Sequence, residues 1–511
     1  MKKKIILIVL FIGVIYKLAL TWDGNFLFHM DSARDMVDVR EMVILRKPRL
    51  TGPSTAIDGL FNGPAWYYFL AVPFIISGGN PYASIVMQII MWVVGGIFLL
   101  KIVSRWSILL MLPIGFLWIA SDYVGLSTVY VFNPNPVTLL TPLFIFLLYK
   151  YMETNKLIFA ISTFFLGGLF FNFEMNFGVF IPIIIFFSIL FSKKTFIFKD
   201  RKFWIGLCFF LLWLLPQIIF DIKHQFIMFN GLIAHLHRES GNFNFIKNFQ
   251  NTVNSFYNVL EPTMLNKKFL SFMVLILFVP VLFKFFNHQK KDAAVIIALL
   301  FIFIPFTGYL FLPVTLNPWH LGAEMVAAII LVGFLLRQLS DTNLLGKLIA
   351  FGLSLPIIIF SLTNIMSYFI SDMGKPNMDP SLFKNEIAAI DFVYKYTDGK
   401  NFKVYTYLPS IYDYPYQYLF WWYGLKEYDF LPIDYAYAPD KPEYISNKES
   451  FSATEDNLKK RENSNLVFLI KEPDHKFTSF GWEGEFVKLE TVEKQMIGPI
   501  EIDIRKEINQ Q

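Results

Sequence analysis

Three aspartates near the start of the chain have the spacing that places side chains on one side of a helix. Asp31, Asp35 and Asp38 occur in the stretch FHMDSARDMVDVREM, at positions i, i+4 and i+7. Like charges at this spacing destabilise a helix by a few tenths of a kcal/mol per pair, so something must offset the repulsion. One offset is solvent together with Arg34 and Arg40 on a hydrated surface helix. The other is a site in which a carboxylate acts as a base beside bound cationic or hydroxyl groups.

Basic residues follow these acids in the same loop, within the string RKPRLTGPST. Arg46, Lys47 and Arg49 suit an anionic ligand, such as the phosphate of a lipid headgroup, and pairing with Asp58 and the aspartates is the alternative. Gly-Pro turns in this string and in GLFNGPAWYYF fix tight bends. They predict a loop that is folded onto the bilayer surface, which favours a functional role for the acids.

A second group of ionisable residues comes directly after the apolar run LLPQIIF. Asp221, Lys223 and His224 follow that run. Such groups at a helix end are candidates for a functional site, although a lysine side chain is long enough to reach the membrane surface by itself. His235 and His237 are two residues apart, which suits a metal only on a strand, and no third ligand is evident. A divalent metal therefore has no further support in the sequence.

Polar residues also lie at the ends of other apolar segments. Glu174, between Asn172 and Asn176, has no basic neighbour in the sequence, so it must find a partner through the fold or have a raised pKa. His320 and Glu324 are one helical turn apart in NPWHLGAEM. The other polar residues at such ends are Asp122, Asn133 and Asn135. Because different apolar segments bring these groups to one face of the membrane, we expect them to form one site.

The elements that must position these residues are membrane-spanning helices. The chain of 511 residues is 55% hydrophobic and 18% aromatic, which is typical of a membrane protein. Its single cysteine, Cys208, excludes disulfides within the chain. Apolar runs long enough to cross about 30 Å of hydrocarbon recur through the first part of the chain. About eleven crossings are predicted, near residues 4–21, 82–104, 107–122, 136–151, 157–171, 176–192, 203–220, 269–286, 293–312, 321–337 and 348–370.

The basic residues predict the orientation of these helices. If the crossings alternate, one side of the membrane collects Lys2 to Lys4, Lys101, Arg105, Lys150, Lys156, the loop SKKTFIFKDRK, Lys290, Lys291, Arg337 and Lys347. The positive-inside rule makes that side cytoplasmic. We therefore expect a multi-pass protein of the cytoplasmic membrane with its N-terminus inside. Residues 64–79 are predicted to form an interfacial helix, because counting them as a crossing would invert every later loop. A cleaved signal peptide is the alternative for the first run, although Lys17 interrupts its core.

Two domains are predicted. Residues 1–370 form a membrane domain with long external loops at 22–65 and 221–268, and residues 371–511 form a small external α/β domain. In the second domain we predict a capped helix from Pro380 and strands in FKVYTYLP, NLVFLI, EFVKLETV and IEIDIRKE. The aromatic run YDYPYQYLFWWYG is interpreted as packed core or as a docking surface for the first loop, with sugar binding as the alternative.

With this layout the chain resembles the GT-C superfamily of integral membrane glycosyltransferases, most closely glycosyltransferase family 39 and its protein-mannosyltransferase-like relatives. The resemblance is carried by the acidic motif MDSARD after the first span, by GPSTAIDGLFNGPAWYYF, and by the segments FDIKH and PWHL. It implies transfer of a hexosyl or pentosyl group from a polyprenyl-phosphate donor to an acceptor outside the cytoplasmic membrane, usually with inversion. The implied partners are that lipid-linked donor and the bilayer, with no nucleic acid, and the acceptor is not identified.

The resemblance also implies residue roles. The catalytic base of the family is an aspartate in the first loop, which corresponds here to Asp31. Members often have Asp-Glu at this motif, whereas this chain has Asp31 followed by Ser32, with Asp35 as the next acid, so the choice between Asp31 and Asp35 stays open. Candidates for binding the donor phosphate or the substrate are Lys47, Arg49, Lys223, His224, Glu174, His320 and Asp221.

Two other functions fit a chain with many crossings. The first is a transporter or permease of a polar or lipid-linked substrate. Transporters place substrate groups near the bilayer midplane and usually have repeated halves, whereas the ionisable residues here are at one surface and no paired halves are evident. The second is a non-catalytic scaffold that presents the C-terminal domain to partners. It predicts that Asp31 is dispensable.

Overall fold

Long apolar helices form the first part of the chain, and a small mixed sheet forms the last part. The computed structural model describes residues 1–240, 243–287, 292–312, 314, 316–439, 441, 444–476 and 478–507. Lys290 and Lys291, which contributed to the predicted orientation, lie outside the described residues.

Eighteen α-helices form the first part of the chain. They are α1 (Lys2–Thr21), α2 (Met30–Ile44), α3 (Ala65–Ser77), α4 (Pro81–Val103), α5 (Met111–Ala120), α6 (Asp122–Val129), α7 (Asn135–Thr154), α8 (Leu157–Phe173), α9 (Met175–Gly178), α10 (Ile181–Phe191), α11 (Arg201–Leu212), α12 (Leu215–Lys223), α13 (Ile227–Ser240), α14 (Phe245–Thr263), α15 (Lys268–Asn287), α16 (Ala293–Phe311), α17 (Gly322–Ser340) and α18 (Leu344–Ser367) among the described residues. Each of the eleven predicted crossings overlaps one or two of these helices.

The number of crossings depends on how bent helices are counted. Within the described ranges, 6 helices are long and apolar enough to cross a membrane, or up to 8 if each bent pair is one span. The bent pairs are α5 with α6, at 52°, and α11 with α12, at 47°. Helix α3, where an interfacial helix is predicted, has 13 residues. It spans only about 20 Å, which is shorter than the hydrocarbon layer. The total of eleven stays a prediction.

Basic loops gather at one end of the helix bundle. Lys2 Nζ donates a hydrogen bond to the carbonyl of Ser104 at 2.6 Å, and Arg105 pairs with Asp292 at 3.3 Å. At the other end of the bundle, the last turn of α1 meets the first turn of α4, where the hydroxyls of Thr21 and Tyr82 are 3.4 Å apart. The predicted grouping of Lys2 with the loop around Arg105 is therefore present in the fold. The compartment that this end faces stays a prediction.

The C-terminal α/β region is built around one five-stranded sheet with the order β2-β1-β3-β5-β4. β1 is parallel to β2 and β3, whereas β5 is antiparallel to β3 and β4. The elements are α19 (Phe383–Tyr396), β1 (Asn401–Tyr407), α20 (Tyr414–Leu419), α21 (Leu425–Tyr428), β2 (Asp434–Ala436), α22 (Glu455–Lys459), β3 (Asn463–Lys471), α23 (Ser479–Glu483), β4 (Glu490–Ile497) and β5 (Ile500–Lys506). The exact boundary predicted between residues 370 and 371 stays a prediction.

Two predicted elements of this region are shifted. The helix expected from Pro380 begins at Phe383, because Asp379 forms a turn in which its carboxylate accepts from the Ser381 N–H at 3.0 Å, and Leu382 is extended and bridges to Leu27. The strand expected in EFVKLETV begins only at Glu490, because Phe486 is buried in a 3₁₀ turn. The short strand β2 was not predicted.

The aromatic run between Tyr412 and Gly424 packs against the first part of the chain, as predicted. Helix α20 contacts α2, and its residues Tyr416, Tyr418 and Leu419 are buried. The Tyr418 hydroxyl donates to the carbonyl of Gly79, and the Trp422 indole donates to that of Gly78 at 3.0 Å. The run is therefore both core and docking surface.

Candidate active site

Asp31 lies in the first turn of α2, at the wall of a polar cavity. The helix begins there because the His29 side chain accepts a hydrogen bond from the Asp31 N–H at 3.3 Å, and an acid in the first turn is favoured by the helix dipole. The carboxylate of Asp31 is 2.9 Å from Arg34 Nη1 and accepts from the Tyr130 hydroxyl at 3.2 Å. Its side chain remains 21% exposed and lines the cavity, so it is accessible to a bound hydroxyl group.

Asp35 lies one turn further along α2 and is fully buried. It accepts from the Trp66 indole at 2.7 Å and pairs with Arg34 Nη2 at 2.9 Å. Burial raises the pKa of this carboxyl to about 6, although Arg34 and Trp66 both favour its ionised form. Arg34 therefore lies between the two carboxylates and offsets the repulsion between Asp31 and Asp35.

The next acids of α2 have a different arginine. Arg49 Nη2 is 2.8 Å from Asp38 and 3.0 Å from Glu41, and the Tyr67 hydroxyl donates to Asp38 at 2.6 Å. Arg40, expected to offset the acids on a hydrated surface, is instead buried with its guanidinium 4.0 Å from the Phe451 ring centroid. The hydrated-surface interpretation is thus wrong for most of α2, because the C-terminal region covers one face of this helix.

Glu174 and His320 approach the cavity from other segments. Glu174 caps the short helix α9 by accepting from the Asn176 N–H at 3.2 Å, and burial raises its pKa to about 7. The Asn176 amide nitrogen is 3.3 Å from His320 Nε2. His320 Nδ1 accepts from the Asn317 N–H at 3.4 Å in a capping box that fixes the ring. Glu174 thus reaches His320 through Asn176 and has no basic partner of its own among the described residues.

The loop after α2 closes one side of the cavity. The Gly52 N–H donates to Asn62 at 2.8 Å and the Asn62 N–H donates back to Pro53 at 2.9 Å, so the two ends of the loop are tied together. The Asn62 side chain also accepts from the Met175 N–H at 3.3 Å. A side chain at Gly63 would collide with Asn172, which explains a glycine here. The loop is therefore folded back against the helices, and its predicted position on the bilayer surface stays a prediction.

These segments enclose a cavity of about 420 Å³. Helix α13 contributes His235 and Glu239 to its wall. The other polar lining residues are Asp31, Arg34, Ser54, Thr55, Asn62, Asn133, Glu174, Asn176, Asn317 and His320. The cavity holds carboxylates, an arginine and imidazoles beside apolar side chains such as Phe132 and Trp319. Such a set can accept a proton from a hydroxyl group and hold an anion nearby.

Several predicted site residues lie elsewhere. Lys47 Nζ donates to Asn447 of the C-terminal region at 2.8 Å, and Arg49 is occupied by acids of α2. Asp221 caps α13 by accepting from the Met228 N–H at 2.7 Å. His224 stacks on Phe220 with ring centroids 4.0 Å apart, and Lys223, also at the end of α12, is exposed. None of these side chains lines the cavity.

Other polar residues from the sequence are distributed more widely. Asn133 lines the cavity, whereas Asn135 donates to the Tyr130 carbonyl and Asp122 accepts from Asn266. Glu324 faces a separate apolar cavity of about 370 Å³ between α14, α15, α16 and α17. The expectation of one shared site thus holds for part of the set only, because helix rotation turns neighbouring polar residues in different directions.

No metal cluster is evident in the described part of the chain. It contains no group of three or more His, Cys, Asp or Glu side chains that could hold a metal ion. His235 and His237 lie on helix α13, and side chains two positions apart on a helix point in different directions.

The sequence reasoning missed some residues of the wall. Asn62 lines the cavity and lies inside the string that carried the resemblance, and Tyr130, which bonds Asp31, lies two positions before the FNPNP region. Trp319 and Glu239 are further lining residues that were not predicted. Trp319 lies next to His320, so its position could have been inferred, whereas Glu239 had no distinguishing sequence signal.

Comparison with known proteins identifies the fold. No protein-family model matches the chain, and no curated protein matches it. The structure of ArnT from Cupriavidus metallidurans bound to undecaprenyl phosphate is similar, with a TM-score of 0.60 at 10% identity, and the match covers 98% of this chain and 97% of that chain. The same protein in the apo state gives a TM-score of 0.57 at 11% identity, with the same coverage. The predicted architecture, a helical membrane bundle with a C-terminal α/β region, is therefore confirmed, and the fold is similar to that of ArnT.

Proposed function

We propose that this protein is an integral membrane glycosyltransferase that moves a sugar from a polyprenyl-phosphate donor to an acceptor hydroxyl. The observation that supports the proposal most strongly is the likeness in fold, over 98% of the chain, to ArnT bound to undecaprenyl phosphate. The polar cavity beside α2 offers a place for the reaction, because an accessible carboxylate and an arginine meet there. The basic loops at the other end of the bundle favour a cavity on the external side of the cytoplasmic membrane.

Asp31 is the proposed general base. In the reaction the acceptor oxygen forms a bond to the anomeric carbon while the bond from that carbon to the donor phosphate breaks. The hydroxyl proton passes to the Asp31 carboxylate, and the bonding electrons leave with the polyprenyl phosphate. One displacement of this kind inverts the anomeric configuration. Proton transfer to a positioned base contributes about 10²- to 10⁴-fold to the rate.

Arg34 is the proposed cation for the leaving phosphate, with His235 as a second candidate. Both line the cavity, in contrast to Lys47, Arg49, Lys223 and His224. Arg34 is already held by two carboxylates, so it need not reorganise when negative charge develops on the phosphate.

Glu174 and His320 are proposed to bind the substrate sugar. Both side chains line the cavity and contact Asn176. A carboxyl, an amide and an imidazole together provide donors and acceptors for several hydroxyl groups.

The test uses the full-length protein in lipid nanodiscs. Binding of undecaprenyl phosphate is measured first, and transfer is then measured from polyprenyl-phosphate-linked glucose, mannose, galactose and arabinose to membrane extracts. We expect binding, and transfer from at least one donor. Asp31→Asn should lower transfer about 10²- to 10⁴-fold and leave undecaprenyl-phosphate binding intact. Asp58→Asn, at an exposed acid in the same loop, is the matched control. Absence of both binding and transfer, or full activity of Asp31→Asn, would overturn the proposal.

The orientation has its own measurement. With Cys208→Ser as background, Asp58→Cys should react with a membrane-impermeant maleimide in intact cells. Protection of this position until the cells are permeabilised would show that the cavity faces the cytoplasm. A transporter would instead move undecaprenyl-linked sugar across sealed vesicles without forming a new glycosidic bond.

A further inference from the structure

Helix α14 has a face of side-chain amides that no role assigned so far explains. Asparagines recur along it at intervals of three or four residues, at positions 244, 248, 251, 254 and 258. This spacing places them on one side of the helix. Asn244 caps the helix, and the Asn248 side chain donates to the backbone carbonyls of Tyr309 and Leu310 at 2.9 Å. These two side chains therefore stabilise the fold. Asn251, Asn254 and Asn258 are exposed, and their side chains make no hydrogen bond to the described residues.

The amide face lines a cleft that adjoins the candidate active site. The cleft has a volume of about 480 Å³, and its wall includes Asn251, Asn254, Ser255 and Asn258. Glu239 lines both this cleft and the cavity that contains Asp31. A molecule lying along α14 would therefore reach the cavity at one end.

The opposite face of α14 differs in chemistry. Ile246, Phe249, Val253 and Tyr257 are exposed large hydrophobic residues on that face. This arrangement suits a helix at the bilayer surface, with its apolar side in lipid and its amide side toward the cleft. An ordinary hydrated face carries many charges, whereas α14 has two charged residues, Lys247 and Glu261, of which Lys247 lines the cleft. The amides thus serve neutral hydrogen bonding rather than ion pairing.

A neutral molecule with many hydroxyl groups fits these features best. An amide has two N–H donors and a carbonyl acceptor, so it can bond neighbouring hydroxyls of a sugar ring without requiring charge. Side chains three or four positions apart on a helix are about 5–6 Å apart, which is comparable to the length of one pyranose ring. The cleft is lined by one acidic residue, Glu239, and one basic residue, Lys247, so its wall has no excess positive charge to select an anionic glycan.

We propose that the cleft along α14 binds the acceptor and that the acceptor is an uncharged glycan. This rests on the proposed glycosyltransferase function, since it names the class of molecule that receives the sugar. Bound along Asn251, Asn254 and Asn258, the glycan directs its terminal hydroxyl past Glu239 toward Asp31. A peptide acceptor would also use amide hydrogen bonds, but the cleft offers few apolar pockets for its side chains.

The test measures glycan binding directly. Maltotriose, cellotriose and mannotriose serve as neutral probes, with trigalacturonate as the anionic probe and a serine-containing hexapeptide as the peptide probe. Saturation-transfer NMR is recorded on the full-length protein in nanodiscs. We expect signals from at least one neutral trisaccharide. The triple variant Asn251→Leu/Asn254→Leu/Asn258→Leu should weaken that binding about 10-fold or more, because three hydrogen-bonding groups are lost. The matched control, Ile246→Leu/Phe249→Leu/Val253→Leu on the opposite face, should bind normally.

Several results would overturn the proposal. They are no binding of any neutral trisaccharide, equal binding by the amide-face variant, or preferential binding of the peptide or of trigalacturonate. Undecaprenyl-phosphate binding is measured in the same samples and should be unchanged in both triple variants. If the wild-type protein binds a neutral trisaccharide but neither binds undecaprenyl phosphate nor transfers a sugar, the glycosyltransferase function is contradicted and the glycan-binding cleft is still supported. The reverse pattern would remove the cleft alone.

Discussion

Arg34 donates two hydrogen bonds to the buried carboxylate of Asp35, from Nε at 3.0 Å and from Nη2 at 2.9 Å. Its remaining Nη1 bonds Asp31, the accessible carboxylate. Asp35 therefore acts on the cavity only through Arg34, and the two acids left open by the sequence have different surroundings. Asp31 lines the cavity, whereas Asp35 is buried and contacts Arg34 and Trp66.

We predict that Asp35→Asn lowers sugar transfer less than Asp31→Asn does. An amide at Asp35 still accepts from Trp66 but loses the charge that holds Arg34. We expect a fall in kcat of about 10-fold with a small change in KM, against about 10²- to 10⁴-fold for Asp31→Asn. Steady-state kinetics of both variants provide the measurement, and Trp66→Phe serves as control for disturbance of the buried site. Normal activity of Asp31→Asn with an inactive Asp35→Asn would exchange the two roles.

A second prediction concerns Glu174 and pH. Burial raises its pKa from 4.5 to about 7, so the folded protein binds this proton more tightly than the unfolded chain does. The contribution of Glu174 to the free energy of unfolding is therefore fully present below about pH 4.5 and is lost as the pH rises through about 7. The free energy of unfolding changes by roughly 3 kcal/mol at most over this range. Glu174→Gln should therefore raise the apparent unfolding temperature at pH 8 and leave it little changed at pH 4.5.

The comparison uses thermal unfolding in nanodiscs across this pH range. Glu455→Gln, at an exposed position of α22, is the control and should follow the wild type. A Glu174→Gln protein with the same pH dependence as the wild type would show that Glu174 is ionised in the fold at little cost.

A third prediction concerns Arg40, which is 2% exposed and lies against aromatic rings of the C-terminal region. Its guanidinium is 4.0 Å from the Phe451 ring centroid and 5.1 Å from that of Trp421, and its Nε has no hydrogen-bond partner among the described residues. Arg40→Met keeps much of the packing and removes a buried charge, so the unfolding temperature should be unchanged or higher. Arg40→Ala leaves a void and should cost about 2 kcal/mol or more.

Thermal unfolding and limited proteolysis of the C-terminal region distinguish the two Arg40 variants. If Arg40→Met were as unstable as Arg40→Ala, the positive charge over the rings would be the stabilising feature, by cation–π attraction rather than by packing.

A fourth prediction concerns the close contact of α4 with α7. A side chain at Gly95 would collide with the backbone carbonyl of Leu139, which cannot move without shifting α7. Gly95→Ala should destabilise the bundle by about 1–3 kcal/mol. Gly352→Ala is the matched control in α18, because a methyl group there meets no atom within 4 Å. It should be neutral or stabilise the helix by up to about 1 kcal/mol. Equal unfolding temperatures for both variants would contradict the close contact.

The local elements were predictable because their signals are local. Each of the eleven apolar runs corresponds to one or two helices of the bundle. The spacing of Asp31, Asp35 and Asp38 predicted the helix α2, which carries all three. The boundaries were less accurate where tertiary contacts compete with propensity. Leu382 extends to bridge Leu27 instead of joining α19, and Phe486 turns into the core instead of continuing a strand.

The sequence by itself determined the membrane class, the mixed C-terminal region and the segments that carry the ionisable residues, since each follows from composition or short periodicity. Only the tertiary structure decided which of those residues share a cavity. Asn176 and His320 are 144 positions apart, and Lys47 meets Asn447 across 400 positions. Contacts of this kind depend on how helices rotate and pack against one another, and that information is not contained in the spacing of residues along a single segment.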